Sequence, residues 1–425
     1  MIAVRIADTG RPVVPAVLGH RVFRRLFAAQ VVALIGTGLL TVALGLLAYD
    51  LAGHDAGAVL GTALAIKMLA YVAVAPVVAA LTDRLPRRTV LVTADAVRAM
   101  AAVALPFVDQ VWQIYALIFV LQAASATFTP AFQSIIPSVL ADEGDYTRAL
   151  SLSRLAYDLE AVLSPLLAAA ALAVIGYHWL FLGTVAGFLG SALLVVTTVL
   201  PGLPVPDRSQ SLSARILAGV RMMGSRPALR GLAAMNLVVA AGTGLVLVNT
   251  VVYVHDLLDG TDTGVAIALG CFGAGSMLVA LLLPHLLIER SDRTLMLTGC
   301  IAIPAGLAAT TLLLAVDPGP GIGWTVLVPV WFVLGAGTSL INTPSARLLR
   351  HHCDDRERQA LFTAQFSLSH ACFLITYPLA GWVGAHAGHV VAAAALTVPA
   401  TLAAITAAHL WPHPTADPIF ATASR

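Results

Sequence analysis

The amino-acid sequence predicts an all-α integral membrane protein with twelve transmembrane helices in two pseudo-symmetric six-helix bundles. Three observations lead there. First, 59% of the 425 residues are hydrophobic and only 11% are charged, with a mean hydropathy of +0.89, whereas a soluble chain carries roughly a quarter charged residues. Second, the apolar residues form long Ala/Leu/Val runs without alternation. A hydrocarbon core of about 30 Å takes about 20 such residues as a helix, and only helices or closed barrels satisfy their own backbone there. Third, of the connections between these runs only alternate ones hold arginines, which is the asymmetry that orients helical membrane proteins.

Charges or Pro/Gly turns bound each expected span. In the first half the spans are Leu26–Tyr49, Gly57–Leu81, Thr89–Val108, Val111–Val139, Ala149–Ile175 and His178–Leu200. In the second they are Leu232–Val254, Gly264–Ile288, Leu295–Val316, Gly323–Thr343, Ala360–Ala385 and Val390–Trp411. The fourth is over-long, and Pro130 and Pro137 predict a kink or an early end. Before the first span, Arg5, Arg11, Arg21, Arg24 and Arg25 flank only the brief apolar stretch Val13–Gly19, too weak for a signal-peptide core, so that span is expected to be retained. Cys271, Cys300, Cys353 and Cys372 show no paired spacing, so neither a disulfide framework nor a metal site is expected.

The basic connections are the N-terminal segment, the hairpin with Arg84, Arg87 and Arg88, the turn at Arg148, the stretch Arg208–Arg230, the hairpin with Arg290 and Arg293, and the loop Arg347–Arg358. The opposite connections, around Asp55, Asp109, Gly176, Asp256–Asp262, Asp317 and Ala385–Gly388, hold no arginine. Both termini are therefore expected in the cytoplasm, with the chain multi-pass in the cytoplasmic membrane. The Pro/Arg-rich connection Pro201–Arg230 reads as a tether. It divides the chain into an N-terminal bundle (1–200), a cytoplasmic linker (201–230) and a C-terminal bundle (231–425).

A weak internal repeat supports two related halves. Leu81-Thr82-Asp83-Arg84-Leu85-Pro86-Arg87 is echoed by Leu287-Ile288-Glu289-Arg290-Ser291-Asp292-Arg293, Thr129-Pro130-Ala131 by Thr343-Pro344-Ser345, and Pro165-Leu166-Leu167-Ala168 by Pro378-Leu379-Ala380-Gly381. Related halves in one membrane chain mark transporters that rock one bundle against the other around a midplane site.

The hairpin, with a small residue at Ala79, Asp83-Arg84, a turn residue at Pro86 and Arg87-Arg88 between spans two and three, resembles motif A of the major facilitator superfamily. With Asp95 and Arg98 in span three and Thr129-Pro130-Ala131 late in span four, the chain resembles the bacterial efflux branch that includes enterobactin and macrolide exporters. Two glycines of the family motif are replaced, by Ala79 and Pro86, and the antiporter glycine-proline signature of span five is reduced to Ser164-Pro165 followed by Ala168-Ala169. The resemblance implies a cytoplasmic gate built from Asp83, Arg84, Arg87 and Arg88, with Asp142, Glu143 or Asp145 as counter-charges; Asp95 and Arg98, three apart near the cytoplasmic end of span three, can pair with each other or with the hairpin and read as part of the same gate. The resemblance also implies a central cavity lined in part by Gln30, Thr37 and Thr41, Gln122, Asn236, Asn249 and Asn342. Each of these alone is more often an interhelical hydrogen bond than a ligand contact.

Ionisable side chains inside a bilayer are costly and point to function. The interiors of the second-half spans contain no Asp, Glu, Lys or Arg. In the first half, Lys67 lies roughly 18 Å and 24 Å along its helix from the nearest charged ends, at 1.5 Å per residue. Glu160 lies at a comparable depth, so a midplane Lys67–Glu160 pair is geometrically open, as is a static ion pair that only fixes packing. Asp158, about 200° from Glu160 around the helix, has Arg154 four residues before it as its natural partner. The converse assignment stays open. A carboxylate in low dielectric can load and release a proton as access alternates. His370 reads as a packed neutral histidine or as a proton relay.

No phosphate-binding loop, metal-ligand cluster or nucleophile triad occurs, and the glycines of Gly270–Gly275 read as helix packing. The expectation is a monomeric secondary transporter without cofactor or nucleic-acid partner. It would exchange protons for a small amphipathic molecule by alternating access across the lipid bilayer, in the outward direction. Import or uniport of a metabolite is the second reading, and a polytopic membrane enzyme the third.

Overall fold

The computed structural model describes residues 17–74, 85–140, 143–200, 212–353 and 355–411. Regular structure among them is entirely helical. Before the central connection stand α1 (Arg21–Ala52), α2 (Ala56–Leu69), α3 (Arg87–Ala104), α4 (Val111–Val139), α5 (Glu143–Leu172) and α6 (His178–Val196). Then come α7 (Leu212–Ser225), α8 (Pro227–Val252), α9 (Asp262–Glu289), α10 (Asp292–Val316), α11 (Pro320–His351), α12 (Asp355–Ala387) and α13 (His389–Leu410). A π-turn at Ala70–Val74 extends α2, and another at Tyr253–Leu257 extends α8.

Ten stretches of the described chain are long and apolar enough to cross a membrane, where twelve spans were expected. Two features account for the difference. Arg21–Ala73 counts as one 53-residue stretch although the 3-10 turn Gly53–Asp55 divides it into α1 and α2. In α5 the apolar stretch whose side chains are described, Leu163–Leu172, is by itself too short to count. Pro130 and Pro137 do not end the fourth span early, because α4 runs on to Val139. The expected tether contains α7, in a segment that lacks the prolines at 201, 204 and 206; α7 packs on α12 and buries Met223.

Helix starts follow local chemistry. The side chains of Thr261 and Ser291 accept from the backbone N–H of Gly264 (3.4 Å) and Thr294 (3.2 Å), and Pro227 and Pro320 occupy first helical positions, where no donor is lost. Helix ends use the arginines. Arg25 donates to Thr197 O (2.7 Å) and Arg88 to Val196 O, both at the C-terminus of α6. Arg226 donates to His352 O after α11, and Arg293 to Trp411 O (2.7 Å) after α13. Cations there complement the helix macrodipole. The contact of α3 with the end of α6 is thus repeated by α10 on the end of α13, which gives the hairpin echo a structural counterpart.

Large apolar side chains are exposed on α3 (Met100), α6 (Leu193), α10 (Ile301, Leu312) and α13 (Val398, Leu402), as a surface facing hydrocarbon requires. The N-terminal and C-terminal helices meet where α2 packs on α12 and α5 on α9. At the first crossing a Cβ on Gly61 would lie 2.5 Å from the Tyr377 carbonyl oxygen. Only a residue without a side chain lets the two backbones approach so closely.

Candidate functional site

Lys67 occupies the last turn of α2, and the following π-turn carries Tyr71. Glu160 stands in α5 against Gly38 of α1: a Cβ on Gly38 would lie 2.7 Å from Glu160 Oε1 and would overlap the Ser164 side chain. The missing side chain is what admits the carboxylate. Lys67 and Glu160 act on each other electrostatically, and Tyr71 senses Glu160, Tyr157 and Arg98. Both charged residues keep partial exposure, so each borders open space instead of being sealed in packing. Opposite charges so placed offset part of each other's desolvation cost.

Across the interface, α12 contributes an aromatic edge. His370 stacks on Phe366 with ring centroids 3.9 Å apart and tilts against Tyr71 at 5.8 Å, while Tyr71 meets Phe366 edge-on at 6.3 Å. His370 Nδ1 lies 2.7 Å from the Phe366 carbonyl oxygen. A carbonyl can only accept, so Nδ1 donates and Nε2 is the acceptor nitrogen. His370 also feels the charge of Lys67. Lys67, Tyr71, Glu160 and His370 therefore form one cluster that draws on both sets of helices.

Asp95 and Arg98 were open to pairing with each other or with the hairpin, and the structure takes the first alternative. They form a buried i,i+3 ion pair on α3, with the guanidinium 4.3 Å from the Phe128 ring and 4.6 Å from the Phe188 ring. At 0% and 4% exposure they belong to the α3–α4–α6 core. Of the other gate residues, Arg88 caps α6 as described, Arg87 begins α3, and Asp83, Arg84 and Asp142 lie outside the described residues. In the second copy of the motif, Asp292 at the start of α10 pairs with Arg347 near the end of α11 at 3.4 Å. Arg154 and Asp158 lie on α5, and their side chains are outside the described set.

Several cavity candidates spend their hydrogen bonds on the protein itself. Asn236 and Gln365 bond reciprocally (3.1 and 2.8 Å), Asn249 donates to Ala380 O (3.3 Å), and Thr37 donates to Ala33 O (3.0 Å). Gln30 and Gln122 are buried, and Gln30 Oε1 has no hydrogen-bond partner among the described residues. Asn342 is half-buried on α11. The sequence reading did not single out Tyr71, Tyr157, Phe366 or Gln365. The stripe Phe366, His370, Phe373, Tyr377, at helical spacing on one span, is the signal that could have found the aromatic edge.

Long apolar helices in two sets, crossing at a glycine contact beside partly exposed residues of opposite charge, fit a polytopic membrane transport protein. The family model of the Major Facilitator Superfamily matches residues 26–328, and the chain belongs to that superfamily. It is 25% identical to Macrolide efflux protein A of Streptococcus pyogenes over 292 residues, covering 66% of this chain and 70% of the relative. An uncharacterized MFS-type transporter of Bacillus subtilis, YfiS, is 27% identical over 127 residues, 30% of each chain. Among solved structures, the nucleoside transporter NupG superposes with a TM-score of 0.68 at 13% identity, covering 92% of this chain and 98% of its own. A D-xylose-proton symporter gives the same score, identity and coverage. A bacterial homolog of the lysosomal transporter Spinster gives 0.66 at 13% identity, over 96% and 100%.

Proposed function

We propose that this chain is a proton-driven exporter of a small amphipathic molecule, with residues 1–200 and 231–425 as the two bodies that rock about the Lys67–Glu160 site, and with the termini, the 201–230 linker and the motif A-like hairpin in the cytoplasm. The observation that carries the reading is that two partly exposed residues of opposite charge, Lys67 and Glu160, stand close to where α2 meets α12, near enough for each to feel the other's field. Glu160 takes a proton from one side while its field is balanced by Lys67 and releases it on the other when the bodies rearrange. Substrate enters the same space against Tyr71, Phe366 and His370, whose rings suit an apolar molecule with a polar handle. Outward direction is supported by the similarity to a protein named for macrolide efflux.

Inside-out vesicles containing the protein test this with a panel of amphipathic compounds, with and without an inwardly acidic pH gradient. Gradient-stimulated uptake of at least one compound is the expected result. Uptake that ignores the gradient for every transported compound would leave uniport as the mechanism.

A further inference from the structure

At the end of the molecule remote from the arginine-bearing loops, the N-terminal and C-terminal helices meet again. Tyr49, in the last turn of α1, donates its phenol to Asp256 and stacks on His255 with ring centroids 4.4 Å apart and planes 20° from parallel. His255 and Asp256 are consecutive residues of the π-turn Tyr253–Leu257. His255 Nε2 also lies 3.3 Å from Asp262 Oδ1 at the start of α9. π-turns are rare and gather at functional sites. Here the turn presents two adjacent side chains to a single tyrosine of the opposing set.

A second tyrosine–aspartate bond stands close by. Tyr177, just before α6, donates to Asp50 of α1 at 2.8 Å. Burial and the neighbouring carboxylate push the Tyr177 phenol up from its ordinary pKa, so it stays a neutral donor. The two bonds share their chemistry and differ in one respect: Tyr177–Asp50 joins helices of one set, whereas Tyr49–Asp256 bridges the two.

We infer that Tyr49, His255 and Asp256 form a clasp that holds this end closed, and that the clasp opens when the transporter exposes its site to that side. The inference rests on the alternating-access reading given above. Charge-assisted hydrogen bonds are stronger than neutral ones, so one such bond with a stacked ring can weight a two-state equilibrium.

The test uses the full chain in lipid nanodiscs without substrate or pH gradient, with the four native cysteines replaced and spin labels at positions 55 and 321. Pulsed EPR reads the distance between them. Asp256→Ala and Tyr49→Phe are each expected to shift the ratio of long to short distances by about tenfold, equivalent to ~1.4 kcal/mol. The double variant should go no further than the larger single one, because both remove the same bond. Tyr177→Phe should keep the wild-type distribution. Wild-type distances in Asp256→Ala, or an equal shift in Tyr177→Phe, would overturn the clasp. Since no proton gradient or substrate is present, a failure of proton coupling leaves this result untouched, and a failed clasp leaves coupling untouched.

Discussion

The interiors of α1–α6 and of α8–α13 handle polar groups in an apolar medium in opposite ways. In the C-terminal set several polar side chains close on one another or on the backbone: Asn236 with Gln365, Trp331 Nε1 to Thr250 Oγ1 at 2.8 Å, Thr376 Oγ1 to Ala240 O at 2.9 Å. Satisfied neutral bonds of this kind fix helix positions and carry no proton. In the N-terminal set the interior holds charge: the sealed Asp95–Arg98 pair and the partly exposed Lys67 and Glu160. The contrast separates a half held together by neutral hydrogen bonds from a half that carries charge in its interior. It also separates two kinds of charge within one half, because Asp95 and Arg98 form a sealed ion pair whereas Lys67 and Glu160 stay partly exposed and act on each other only through their fields.

Substitutions in the two halves are expected to differ widely in effect. Glu160→Gln should reduce gradient-driven transport in proteoliposomes on the order of 100-fold or more, with the amount of protein inserted unchanged; full transport by that variant would move titration elsewhere. Lys67→Met removes the partner charge and should lower turnover about tenfold, ~1.4 kcal/mol in barrier, while the melting temperature in detergent moves less than it does for a core truncation. Wild-type turnover would make the lysine a packing residue. In the other half, Asn236→Leu should cost about 1–3 kcal/mol of stability by stranding Gln365 and alter transport less than twofold. Adding Gln365→Leu should restore much of that stability, and a large transport defect in the double variant would make the Asn236–Gln365 pair itself part of the transport machinery.

The sequence made the helical membrane architecture legible because apolar runs and arginine placement are local signals. Depth arithmetic alone brought Lys67 and Glu160 to comparable levels, since both positions can be counted from charged ends. Tyr71 against His370 was not legible in that way, because a contact between residues about 300 positions apart depends on how α2 crosses α12, and that crossing is set by glycines such as Gly61. Asp95 and Arg98 looked like gate residues from their nearness to the hairpin. What the sequence did not reveal is that Phe128 and Phe188 enclose the guanidinium. Tyr49 and the π-turn were hidden for a similar reason: a tyrosine near a span end reads as an interfacial anchor, and nothing in the residues around Tyr253–Leu257 announces the extra residue in the turn.

The central claim is that Glu160 carries the proton but is not needed to bind substrate. One measurement separates these roles: in the same inside-out vesicles, Glu160→Gln is assayed for pH-gradient-driven uptake and for exchange of labelled against unlabelled substrate without a gradient. The account predicts that gradient-driven uptake is lost while exchange continues at a rate within a few-fold of wild type. Gradient-driven uptake at the wild-type level would contradict it.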